Sequence, residues 1–83
     1  MFTFPNLQKF PIGTRVRSVA PTRGSVEIEE GETGTVVNIE VLSGLIIYHV
    51  DWDKAGMGRH DCDGKARSFH GWNVTEDWLE YAL

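Results

Sequence analysis

Apolar residues recur at every second position through the middle of this chain, a period that marks an extended strand with one buried face. Ile46, Tyr48, Val50 and Trp52 alternate with Ile47, His49, Asp51 and Asp53. That pattern predicts a strand over 45–53 with the first set facing inward and the second outward. The preceding segment 35–41 is rich in β-branched residues and predicts a second strand, although its phase slips. Either a bulge lies at Val37-Asn38, or Val37, Ile39 and Val41 form the inner face. Leu42-Ser43-Gly44 is a tight-turn signal that joins the two strands as a hairpin. Upstream, residues 15–20 alternate after Gly13-Thr14 and stop at Pro21, which lacks a backbone donor. Downstream, 71–74 reads as extended, Thr75 is placed to cap a short turn over Glu76-Asp77-Trp78, and 79–83 reads as a last strand. Residues 54–69 hold glycines and no sustained apolar period, which predicts a long loop between strands.

The remaining punctuation is made by proline. Pro5 and Pro11 bracket an N-terminal arm, 1–12, whose Phe2, Phe4, Leu7 and Phe10 are apolar enough to pack on a core, with one helical turn expected over Pro5-Asn6-Leu7-Gln8. With 83 residues and neither repeat nor linker, the chain is expected to fold as one domain, 1–83. The expected class is all-β. Five strands, a long acidic first loop, a hairpin, a second long loop and a short helical turn before the last strand resemble the order of a small SH3-like barrel.

Composition narrows the function classes. A hydrophobic content of 41% suits a folded domain, and one cysteine cannot form an intramolecular disulfide, so a disulfide-stapled secreted scaffold is excluded. No stretch approaches a membrane span, and a cytoplasmic protein without a membrane partner is expected. The net charge of −4 conceals an asymmetry. Lys9, Arg15, Arg17 and Arg23 precede the first acid, after which Glu27, Glu29, Glu30, Glu32 and Glu40 follow with no intervening base. The basic first strand is a candidate nucleic-acid stripe, but the acidic run beside it repels a polyanion and suits a basic protein partner.

Two resemblances follow from particular residues. Gly13-Thr14-Arg15-Val16-Arg17, followed by Gly31-Glu32-Thr33-Gly34-Thr35-Val36-Val37, is similar to the Gly-x-x-Val-Arg … Gly-x-x-Gly-Thr-Val pattern of KOW-type and related SH3-like barrels. That likeness implies an SH3-like fold; such barrels bind RNA, ribosomal components or proteins, so it does not fix a function. His60, Cys62, Gly64, His70, Gly71 and Trp72 resemble a His-x-Cys-x-Gly-x-Cys-x-x-x-His-Gly-Trp loop of small phage and bacterial proteins. The second cysteine of that pattern is replaced here by Ala66.

Three chemical readings of the loop can be weighed. Zinc takes four Cys or His ligands in structural sites. His60, Cys62 and His70 supply three, with Asp61, Asp63 or His49 as a fourth, but Ala66 stands where another thiolate would complete the set. The preferred expectation is no cofactor, with Cys62 packing as a small hydrophobe and both histidines making loop hydrogen bonds. Asp61-Cys62-Asp63-Gly64 lacks the ligand ladder of a calcium loop. Nucleophilic catalysis by Cys62 would need a positioned base and an oxyanion site, neither of which is legible. The leading expectation is a non-enzymatic protein-interaction module of phage type acting on a host protein. Its expected binding residues are Glu27, Glu29, Glu30, Glu32, Trp72 and Trp78, since exposed aromatics anchor interfaces. The alternatives are a KOW-like RNA or DNA binder using Lys9, Arg15, Arg17 and Arg23, and a zinc-stabilised barrel using His60, Cys62 and His70.

Overall fold

The computed structural model describes residues 9–19 and 28–82. They form five antiparallel strands: β1 (Arg15–Ser18), β2 (Thr33–Leu42), β3 (Leu45–Trp52), β4 (Gly71–Thr75) and β5 (Leu79–Tyr81), with a 3-10 turn over Glu76–Trp78. The strands make one sheet in the order β4-β3-β2-β1-β5, so the chain meanders from β1 to β4 and then returns β5 to the far side of β1. Among the described residues no helix is long and apolar enough to cross a membrane.

The phase slip in β2 is a bulge. Val36 pairs with Val50, Asn38 pairs with His49, and Val37 is the extra residue between them. The bulge lets Gly34 and Val36 face the core on one side of it and Ile39 on the other, which keeps both halves of an irregular sequence in register with β3. At the hairpin, Ser43 (φ 52°) and Gly44 (φ 79°) both adopt positive φ, the two-residue turn whose twist matches the flanking strands.

The core comprises Phe10, Val16, Ile28, Val36, Tyr48, Val50, Trp52, Val74 and Leu79, with Ile39, Ile46, Trp72 and Trp78 packed against it. Phe10 is fully buried and sits edge-to-face against Tyr48 and Tyr81 at ring separations of 5.4 and 4.8 Å. The Tyr48 hydroxyl accepts from the backbone N–H of Lys9 (2.9 Å) and Phe10 (3.3 Å) and donates to Glu76 (3.1 Å), which ties the chain before β1 to the turn before β5. The rest of the expected arm, including Phe2, Phe4, Leu7 and its helical turn, lies outside the described residues.

Several element bounds differ from expectation. The first strand stops at Ser18, where Val19 turns to bond the carbonyl of Trp78. The last strand ends at Tyr81. Thr75 precedes the 3-10 turn as expected, but its hydroxyl donates to the Asp77 carboxylate (2.5 Å) instead of capping a backbone N–H. His49, expected to face solvent, is buried at 8% exposure. It does point to the outer face of the sheet. That face is covered there because the loop after β3 folds back, His60 bridging Gly71 of β4 with backbone bonds in both directions (2.8 and 2.6 Å).

Candidate functional site

The loop of residues 53–70 leaves β3 and returns to the same point, the carbonyl of His70 accepting from the Trp52 N–H (2.8 Å). Its first half is anchored by Arg59, whose side chain is 3% exposed and forms a two-pronged pair with Glu32 (3.0 and 2.9 Å), itself 10% exposed. Arg59 also donates to the Lys54 carbonyl. Lys54 in turn faces Glu29 at 3.7 Å. The acidic turn before β2 and the loop after β3 are thereby joined across 27 residues of sequence.

Two apolar side chains stand bare on this assembly. Met57 is 92% exposed and Phe69 60% exposed, and with Ala55 and Gly56 they line a shallow apolar depression. Phe69 has a φ of 65°, a conformation that costs a bulky residue on the order of 1–3 kcal/mol, and its ring recovers little of this through burial. Glu29 and Glu30 are exposed on the adjoining turn.

The second half of the loop builds a polar cavity on the outer face of the sheet, about 230 Å³ in volume, lined by His49, His60, Asp61, Cys62, Asp63 and Asn73. The Cys62 backbone N–H donates to His60 Nδ1 (2.9 Å), and the Cys62 thiol lies 3.8 Å from Asn73 Oδ1. Burial, reinforced by Asp51, Asp61 and Asp63, pushes that thiol up to about 11, so it stays protonated at neutral pH and is a poor nucleophile. Arg67 clamps Asp51 from outside through Nε and Nη2 (2.9 Å at the closest). Burial alone would raise the Asp51 carboxyl, but these bonds outweigh it and hold the group below its ordinary value.

The expected binding residues divide accordingly. Glu29 and Glu30 are exposed, whereas the side chain of Glu32 is 10% exposed and paired with Arg59; Glu27 lies outside the described residues. Trp72 and Trp78 are half-buried, and both pack against the core. Trp72 lies opposite Val50 in the sheet and its ring meets that of His60 in a tilted contact, centres 5.3 Å apart at 43°, so it supports the loop.

The basic set is already engaged. Arg15 grips both oxygens of Asp53 (2.9 and 2.5 Å), Arg17 donates to Glu80 (2.7 Å), and Lys9 rests over the Phe10 ring at 5.5 Å; Arg23 lies outside the described residues. The zinc ligands do not converge. His70 Nδ1 donates to the Trp52 carbonyl (2.7 Å), and no group of three or more His, Cys, Asp or Glu among the described residues is arranged to hold a metal ion. Met57, Phe69 and Asn73 are absent from the expected set, and His49 enters it only as a possible fourth zinc ligand. The first two did carry a signal, as single large apolar residues in an otherwise polar, glycine-rich loop.

No protein-family model, curated protein or solved structure matches this chain.

Proposed function

We propose that the chain is a non-enzymatic SH3-like interaction module, phage-borne and directed at a host protein, which it binds through the surface of the loop over 53–70. The strand order, with β5 returning beside β1 after a 3-10 turn, supports the SH3-like reading. The exposed pair Met57 and Phe69 carries the functional one. Large apolar side chains placed together in solvent, one on a strained backbone, bury little area on folding and are suited to anchor a partner. Glu29 and Glu30 beside them favour a partner with basic residues next to its apolar anchor. Trp72 contributes by supporting the loop.

Affinity capture with wild type and with Phe69→Asn tests the reading. Asparagine tolerates positive φ, so the variant should melt no lower than wild type and yet lose the captured protein. Glu29→Lys with Glu30→Lys should weaken capture most at low salt. The same protein retained by all three forms would overturn the assignment.

A further inference from the structure

The hairpin of β2 and β3 outruns the strands on either side of it. β1 covers β2 only as far as Val36, whose N–H and C=O are taken by Thr14 and Gly13 (3.0 and 2.8 Å), and β4 ends opposite Ile47. Among the described residues the end of the hairpin, 37–46, is therefore two strands wide. Val41, Leu42 and Leu45 there are more than half exposed, and no charged residue occurs between Glu40 and His49.

The direction of each backbone group along the hairpin follows from the bonds at its base. The Asp53 N–H reaches Thr33 on the β2 side and the Trp52 N–H reaches His70 on the β4 side. Alternation then directs residues 45, 47 and 49 toward β2, and their partners 42, 40 and 38 toward β3. Ile39 and Val41 are left with N–H and C=O directed out of the sheet, and none of these four groups has a hydrogen-bond partner among the described residues. Between Val41 and Ile47 the edge carries neither the charge nor the proline that blunts a strand edge, so it is a template for a further strand. The two outer edges of the sheet are poorer templates. On β4, Gly71 is already bonded to His60, and β5 is three residues long with Glu80 at its centre.

The bounds of the free stretch select its occupant. An added antiparallel strand that ran on past Asn38 would meet Gly13 and Thr14 on Val36, so it must end or turn there. The hairpin itself meets that condition. When the β2 strands of two copies pair antiparallel about Val41, the Ser43-Gly44 turn of the second copy lies opposite Ile39 and Asn38, short of Thr14. The two Val41 side chains, each beside its own Ile46, meet across the axis. Glu40, the one charged residue between Thr33 and Ile47, faces Leu42 of the second copy instead of another carboxylate. We infer that the chain self-associates through this edge, two copies adding β2 to β2 as an antiparallel two-fold pair centred on Val41. The contact is smaller than the roughly 1,200 Å² of a stable complex, so the dimer is weak, with a dissociation constant of about 10 µM to 1 mM. The docking surface stays open, because the loop over 53–70 leaves from the opposite end of β3.

The test is sedimentation velocity of the full chain from about 10 µM to about 2 mM, with 15N spectra recorded over the same dilution series. A shift from monomer toward dimer is expected, with dilution-dependent shifts centred on residues 39–45. Val41→Lys and Val41→Glu should each weaken association about fivefold or more, because equal charges then face each other across the axis, and an equal mixture of the two should recover it in part. Val41→Pro removes only an N–H that points out of the sheet and should give the same loss while the hairpin stays folded. A chain that is monomeric at the highest concentration would overturn the inference, as would a dimer whose shifts centre on Asn73 or Tyr81. So would a Lys and Glu mixture that associates no better than either variant alone. Shifts at Ile39 and Val41 that arise only when another protein is added would assign the edge to a foreign strand and overturn it as well.

Discussion

Gly71 is constrained by its neighbours, not by its backbone angles. A Cβ there would lie 2.7 Å from Cys62 Sγ and 2.8 Å from the His60 carbonyl oxygen, inside contact distance of both. Gly71→Ala should therefore destabilise the fold by about 1–3 kcal/mol, the usual cost of overpacking, read as a lower urea midpoint at unchanged slope. Adding Cys62→Ala should recover part of the loss by removing the sulfur while the carbonyl remains. An additive pair would show that the two residues do not touch. The same burial governs Cys62 itself. A thiol raised from 9.0 to about 11 has roughly a hundredfold less thiolate at pH 8. Labelling by iodoacetamide should consequently be slow in the folded protein and rapid in urea.

Between elements, the Arg59–Glu32 pair holds the loop after β3 against the turn before β2, with both side chains nearly dry. Removing one member of a buried pair strands the other charge, at a cost of about 3–5 kcal/mol, whereas removing both costs much less. Arg59→Met should accordingly be severe and Arg59→Met with Glu32→Met milder, a coupling that a double-mutant cycle in urea measures directly. Pairs of this kind explain what was legible in the sequence. The alternation of Tyr48, Val50 and Trp52, the β-branched run around the Val37 bulge and the Ser43-Gly44 turn are local signals, and they fixed the strands to within a few residues. Glu32 reads as one more acid in a charge run because Arg59 lies 27 positions away. Arg15 and Arg17 read as a free basic stripe because Asp53 and Glu80 reach them through strand pairing, which no local spacing reveals. His49 reads as solvent-facing because period two identifies a face of the sheet, and only the tertiary return of the loop covers it.

For the molecule as a whole, these charges and buried acids set limits on the pH range of stability. Arg15, with help from Thr33, holds the Asp53 carboxyl down to about 2 from an ordinary 3.8, and Asp51 is lowered as well. A carboxyl depressed on folding contributes stability that is complete above its unfolded value and is lost as pH falls through the folded one. The acid limb should therefore descend between about pH 4 and pH 2. The Arg15–Asp53 share of that descent is less than about 1 kcal/mol, because both side chains are nearly half exposed and screened by water and salt. On the alkaline side the signs reverse. Burial raises the Tyr48 phenol, whose oxygen accepts from Lys9 and Phe10, and it raises the Cys62 thiol to about 11. A neutral acid raised on folding stabilises below its unfolded value, and that contribution disappears as pH climbs through the folded one. Melting temperature plotted against pH should thus be flat from about 5 to 8 and fall at both ends. Asp53→Asn should flatten the acid limb alone and Cys62→Ala the alkaline limb alone, because Asp53 and Cys62 titrate in separate windows and lie apart in the 53–70 loop, at its start and its middle. A variant that moved both limbs would mean that it had altered the fold instead of one proton.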